Sequence, residues 1–389
     1  MNKVYQRVLG GKNGTSGLIA LALLLMVVLP CCLNLFWINV VGKYLCFAFA
    51  ALGLAVLWGR AGVLSLGQGI FFGLGGYCMA MFLKLKASDP ISTKIQTTPG
   101  IPDFMDWNQL THLPAFWVPF KSLPFTFFAV LALPTLVAFI IGLAMFKRRV
   151  GGVYFAILTQ ALALILSLAI DGNQGYTGGR NGITDLKTMW GWDIRTHHAQ
   201  YVLYFVTSFL LLLSIVLLQC LLNGKMGRML IAMREREDRV RFSGYDVSMF
   251  KVFVFCVAAM LSGIGGALFV LQVGFIAPSL VGIVPSIEMV IFAAVGGRAS
   301  LFGVVYGTLL VNAGKSLFSD SFPEAWLFCM GGLYIGVVVL FPNGLAGGWD
   351  WWRKKAWPVL LARLKEGPPQ KTSSPSTSLK KAAIKGENS

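Results

Sequence analysis

Apolar residues run through this chain in blocks of about twenty, interrupted by short clusters of charge, glycine and proline. Leu18–Trp37, Phe125–Phe146 and Tyr201–Leu222 are each close to the ~20 residues that a helix rising roughly 1.5 Å per residue needs to cross a hydrocarbon core. Set against their polar breaks, the runs predict ten spans, near 18–37, 41–58, 61–83, 124–146, 152–171, 200–222, 251–275, 283–297, 300–318 and 325–342. The expected fold is an all-α, polytopic transmembrane helical bundle. Its short eighth segment, 283–297, is the one that can re-enter instead of crossing.

Composition agrees: 56% of residues are apolar and 13% charged, where about a quarter is charged in a soluble domain. A soluble globular protein is excluded. The 33 Lys and Arg against 16 Asp and Glu would suggest nucleic-acid binding in a soluble chain, but in a bundle charge is first sorted by side. An even span count puts both termini on one side. With that side cytoplasmic, 24 of the 33 basic residues lie inside, as the positive-inside rule requires. The expected organisation is a cytoplasmic N-terminus over 1–17, a permease domain over 18–343 and a basic cytoplasmic tail over 344–389. Lys3, Arg7 and Lys12 ahead of the first run imitate a signal peptide, yet the run is long and Pro30-Cys31 is a poor cleavage site, so a retained helix is expected. Beyond Ala362 the tail reads as disordered, and Trp349, Trp351, Trp352 and Trp357 beside Arg353–Lys355 resemble an interfacial belt on anionic lipid. The seven cysteines lie in apolar runs without a CxxC pair and read as small hydrophobes.

Polar residues inside apolar runs carry the functional signal. In AGVLSLGQGIFFGLGGYCMAM, from Ala61, Ser65 and Gln68 need a partner or a wet cavity at membrane depth. The glycines, including Gly69-Ile-Phe-Phe-Gly73, suit plain helix packing or close backbone approach. Glu288, in PSIEMVIFAAVGG between Pro285 and Gly296-Gly297, is an expensive intramembrane carboxylate, read as lining a path or as a buried structural partner. Gln160 and Asn312 are weaker candidates, of the type that glues helices. Ser65, Gln68, Phe71, Phe72, Gln160 and Glu288 form the candidate path or gate. Two outer loops, 84–123 and 172–199, are long enough to cover a vestibule.

On the cytoplasmic side, Met226, Met229, Leu230, Met233 and Val240 share a helical face in GKMGRMLIAMREREDRVRFSGYDV, from Gly224. Charged residues fill the other positions, so a short amphipathic helix that docks in a partner's groove is expected, with Gly244 ending it. Catalytic signals are missing. Gly314-Lys315-Ser316 lacks the leading glycine of a phosphate loop and lies in an apolar run. His112, His197 and His198 fall in outer loops away from metal-ligand spacing.

Four ordered segments, GVLSLGQGIFFGLGGY (62–77), YTGGRNGIT (176–184), GRMLIAMREREDRVRFSGYDV (227–247) and SIEMVIFAAVGGRASLFGVVYG (286–307), resemble the membrane subunits of bacterial branched-chain amino acid and urea ABC importers. The resemblance covers roughly 40–345. Within it, the extended first outer loop with IPDFMDWNQL (101–110) is most like the urea branch, with a branched-chain amino acid permease as the alternative. Gln68 stands where many relatives carry His. The resemblance implies a transport subunit without catalytic residues or cofactor of its own, placed in the bacterial inner membrane. It implies as partners a second related permease, two ATP-binding subunits holding ATP and Mg, and a periplasmic substrate-binding protein, with lipid around them and no nucleic acid. It also implies that 227–244 is the coupling segment, with Met229, Met233, Arg234, Glu235, Glu237, Asp238 and Gly244 as candidate contacts. A different class remains open: a stand-alone channel or ion-coupled transporter with Glu288 as the ion site.

Overall fold

The computed structural model describes residues 12–88, 98–186 and 192–321, with Thr93, Thr188–Met189 and short stretches between 328 and 345. Eight helices among them are long and apolar enough to cross a membrane, and they match eight of the ten expected spans. The first expected span is the shorter apolar helix α1, Lys12–Leu23 continued through a π turn at Leu24–Val28 to Cys32. It breaks at Leu33–Asn34, four residues before the sequence pattern suggests. The tenth span, the tryptophan cluster and the tail lie essentially outside the described residues.

The crossing helices are α2 (Leu35–Leu54, extended by a π turn at Ala55–Arg60), α3 (Gln68–Ala87), α4 (Leu123–Lys147) and α5 (Val153–Gly172). After them come α6 (His197–Asn223), the short α7 (Lys225–Glu235) and α8 (Glu237–Phe242), then α9 (Val247–Val273), α10 (Ile283–Gly296) and α11 (Leu301–Ser321). The only paired strands among the described residues, Thr188–Met189 with Trp192–Asp193, form a small hairpin ahead of α6. His197 and His198, expected in a loop, open α6 instead, where Thr196 caps the helix by accepting from the Ala199 amide.

Helix α9 is the axis of the bundle, buried against α2, α3 and α4. In a membrane the hydrophobic effect does not drive helices together, so close packing of small residues must. Antiparallel to α9, α2 sets Gly53 against Ala258 and Cys46 against Gly265; across the other face, Gly75 meets Gly263 and Gly266 meets the Phe72 carbonyl. Phe47, Phe72 and Phe269 fill the space between these contacts, with Phe47 stacked on Phe72 at 5.2 Å. The helices α10 and α11 make an antiparallel hairpin over Gly296, Gly303 and Gly307.

The outer loops are tied into this frame. Lys84, at the end of α3, is buried and donates to the Thr184 carbonyl at 3.1 Å while pairing with Asp103 at 2.8 Å. Ile183 and Ile276 exchange backbone hydrogen bonds, which pins the YTGGRNGIT segment to the connection between α9 and α10. Gly182, at φ +69°, lies so close to the Ile276 carbonyl that a side chain has no room.

Gly266→Leu therefore drives a side chain into the Phe72 backbone, an overpacking that costs ~1–3 kcal/mol or more. The variant is expected to melt several degrees lower in detergent and to be less abundant in membranes, whereas Gly314→Leu, at a position with open space, is expected to match the parent. Equal melting of the two variants contradicts the α3–α9 packing.

Candidate translocation path and coupling segment

The third expected span, 61–83, is not helical throughout. Residues 61–67 form an irregular strand of backbone, and α3 begins only at Gln68. Irregular backbone at membrane depth must be hydrogen-bonded inside the protein, since hydrocarbon offers no partner. Thr159 of α5 accepts from the Leu66 amide at 3.1 Å, Ser65 accepts from the Gly67 amide at 3.3 Å, and Ser286 of α10 accepts from the Gly69 amide at 3.0 Å. Gln68 accepts through Oε1 from the Ser262 hydroxyl at 2.8 Å, and its amide nitrogen is buried without a partner among the described residues. Ser65 and Gln68 thus hold helix ends and helices together. Phe71 is buried edge-on to Phe255, Phe72 is the stacked partner of Phe47, and Gln160 is half-buried on α5.

Glu288 has a different setting. It lines a cavity of about 700 Å³ between α2, α5, α9, α10 and α11, walled by Phe47, Leu164, Phe269, Phe275, Leu280, Ile283 and Val284 and edged by Ser167, Asn312 and Ser316. Of the six candidate path residues, only Glu288 lines it; Phe72 stands one layer behind, against Phe47. Two cations also line it, Lys43 of α2 and Lys315 of α11. The Lys315 ammonium donates to Glu288 Oε1 at 2.5 Å, with the Glu288 side chain 10% exposed. Lys43 makes no hydrogen bond or ion pair among the described residues and lies ~12 Å along α2 from Leu35, at roughly 1.5 Å per residue. Tyr44 hydrogen-bonds Ser316 beside it, linking α2 to α11.

A single charge at the centre of a membrane helix costs roughly 2.5–3.5 kcal/mol on the insertion scale. That cost was the available signal: Glu288 in an apolar run calls for a cation, and Lys43 and Lys315 stand inside the apolar spans. Lys315 falls in Gly314-Lys315-Ser316, where the likeness to a phosphate loop masks its part in the cavity. Asn312 lines the same cavity and donates to the Thr308 carbonyl on its own helix, so it is not the interhelical bond expected of it. No group of three or more His, Cys, Asp or Glu converges on a metal-sized site among the described residues.

The coupling candidates form an elbow where one helix was expected. The chain breaks at Arg236, with φ −149° and ψ 82°, between α7 and α8. Leu230, Met233 and Val240 are buried in the chain's own core, with Met226 and Met229 packed against it. The methionine stripe therefore seats the elbow on its own bundle, and a partner's groove is not what this face meets. Arg234 donates to the Gly59 carbonyl at 2.6 Å, at the end of α2. Glu237 is held between Arg241 at 3.0 Å and Lys251 at 2.7 Å, which braces α8 on α9. Left facing outward are Glu235, Arg236, Asp238 and Arg239, then Phe242, 92% exposed, and Tyr245. These two aromatics were not singled out in the sequence, where only their exposure would have marked them. Gly244, at φ +84°, ends the elbow as expected.

A bundle of apolar helices around a charged cavity, with a braced amphipathic elbow at one end, defines a membrane transport component. Residues 36–338 match the family described as Branched-chain amino acid transport system / permease component. The chain belongs to that family, and it is an integral membrane transport component, not an enzyme. It is 26% identical over 323 residues to the high-affinity branched-chain amino acid transport system permease protein LivM of Salmonella typhimurium, covering 77% of this chain and 67% of that one. The Escherichia coli LivM gives the same identity and coverage. A probable LivM of Methanocaldococcus jannaschii is 25% identical over 223 residues, 53% of this chain and 62% of its own. No solved structure matches. The expected urea branch finds no support in these relatives, all of which are named for branched-chain amino acids.

Thr159→Val keeps the volume of the side chain but leaves the part-buried Leu66 amide without its acceptor, a cost of ~1–3 kcal/mol. The variant is expected to melt lower in detergent and to exchange the Leu66 amide faster. Unchanged exchange at Leu66 overturns this account of how the irregular 61–67 segment is held.

Proposed function

We propose that this chain is the permease component of an ATP-driven importer for branched-chain amino acids, placed in an inner membrane with both termini cytoplasmic. The amino acid reading rests on the names of its relatives. The observation that carries the ATP-driven reading is the elbow over 225–244. It is locked to α2 by Arg234 and to α9 by Glu237, and it presents a charged face ending in the exposed rings of Phe242 and Tyr245. Exposed aromatics beside charge are the residues that anchor protein interfaces, and a lone channel has no use for such a face.

In this reading two ATP-binding subunits, holding ATP and Mg, sit beneath the elbow of this chain and of a second related permease, and a periplasmic binding protein delivers the solute. Closure of the ATPases pushes the elbow. Because Arg234 holds Gly59, the push passes to α2, whose other half carries Lys43 and Phe47 at the cavity; through Glu237 and Lys251 it passes to α9, which carries Phe269 there. Movement of these two helices would open the cavity to alternate sides as packed elements shift between discrete arrangements.

Phe242→Ala combined with Asp238→Lys is expected to cut ATP-driven leucine uptake by roughly tenfold or more in vesicles holding all subunits, the effect of losing an interface anchor worth ~2 kcal/mol. Membrane abundance is expected to stay normal, because both side chains face outward. Unaltered uptake removes the docking assignment, and uptake of urea in place of leucine by the parent complex removes the substrate reading.

A further inference from the structure

Among the described residues, the cavity between α2, α5, α9, α10 and α11 is lined by two cations, Lys43 and Lys315, and one carboxylate, Glu288. Lys315 is paired with Glu288 Oε1, whereas the exposed Lys43 lines the same space in direct hydrogen-bond or ion-pair contact with no described residue, Glu288 acting on it only electrostatically across the cavity. The second oxygen of Glu288 likewise carries no hydrogen bond among the described residues. An ammonium in contact with no carboxylate and an open carboxylate oxygen therefore share one chamber, whose remaining lining sets the apolar side chains of Phe47, Phe269 and Ile283 beside the hydroxyls of Ser167, Ser279 and Ser316.

Those features define a ligand. Its anionic group answers Lys43, its cationic group answers Glu288, and its apolar body lies against Phe47, Phe269 and Ile283. We propose that this cavity is a transit site for zwitterionic α-amino acids with an apolar side chain, in which Lys43 takes the α-carboxylate and Glu288 takes the α-ammonium. A neutral solute such as urea leaves the extra charge unanswered, and a simple inorganic anion leaves the apolar walls and Glu288 unused. The cavity volume, about 700 Å³, falls within the ~300–1,000 Å³ of small-molecule sites, which combine apolar walls with a few placed polar groups. Lys315 orients Glu288 through the bond to Oε1, so the ammonium arrives at a carboxyl group already held in place.

The inference deepens the amino acid import reading and rests on it. The test is equilibrium binding of radiolabelled leucine to the full chain with its partner subunits in phosphatidylcholine nanodiscs, without the binding protein. Leucinol, which lacks the carboxylate, and 4-methylpentanoate, which lacks the ammonium, serve as competitors. The parent complex is expected to bind leucine, with each competitor at least about tenfold weaker, because each forfeits one charged contact. Lys43→Gln is expected to weaken leucine by about tenfold or more, to the level of leucinol, and Lys43→Arg to restore most of the affinity. Parental affinity in a Lys43→Gln complex that melts like the parent overturns the site, as does leucinol competing as well as leucine. Leucine uptake by the parent complex, supplied with its binding protein, separates the two readings. Uptake with unaltered Lys43→Gln binding discards the site and keeps the function, while uptake of urea alone discards the function and the ligand with it.

Discussion

Backbone at membrane depth has no water to turn to, and this requirement shapes the bundle. Among the described residues, the chain departs from helix inside the bundle over residues 61–67 and between the ends of α9 and α10. Each departure is closed by partners from distant sequence. Thr159 and Ser286 receive amides from the first, Ser167 donates to the Pro278 carbonyl in the second, and the Ile183–Ile276 bridge completes it. Because those partners come from α5, α10 and the outer loop, satisfying the broken backbone also fixes where these elements stand relative to α3.

The breaks have a structural return. A helix that ran unbroken from residue 61 would carry its backbone polar groups turned inward on its own axis. Starting α3 at Gln68 and α10 at Ile283 lets two helix starts meet at Gly69 and Ser286, beside the connection that walls the charged cavity. Gly69 and Gly73 permit the approach, since side chains there would strike Ser286 and Val281. The same close packing keeps the cavity's aromatic floor rigid, with Phe47 held between Phe72, Phe269 and Phe292.

The cavity and the elbow sit on opposite parts of the same helices. Helix α2 ends at the Gly59 carbonyl that Arg234 grips, and Arg298, in the turn between α10 and α11, lies over Trp58 at 5.1 Å. The α10–α11 hairpin that carries Glu288 and Lys315 is therefore anchored at the same corner as the elbow. The helices that carry all three charges thus meet the elbow at one packed corner.

The fold class was legible in the sequence, because the cost of exposing or burying a side chain is set residue by residue, and blocks of about twenty apolar residues permit few other readings. The methionine stripe, the end at Gly244 and the anomaly of Glu288 were legible for the same reason. Their partners were not. Glu288 lies 27 residues from Lys315 and on a different helix from Lys43, Gln68 finds Ser262 on α9, and the methionine stripe turns out to cover its own bundle. Hydrophobic pattern states that a polar group needs a partner; which group answers depends on how helices with near-equal apolar faces pack, and that is decided by glycine contacts such as Gly53 with Ala258 and Gly266 with Phe72. The sequence alone thus determined a membrane bundle with a few costly polar residues, and the tertiary structure decided which of them brace the frame and which share a chamber.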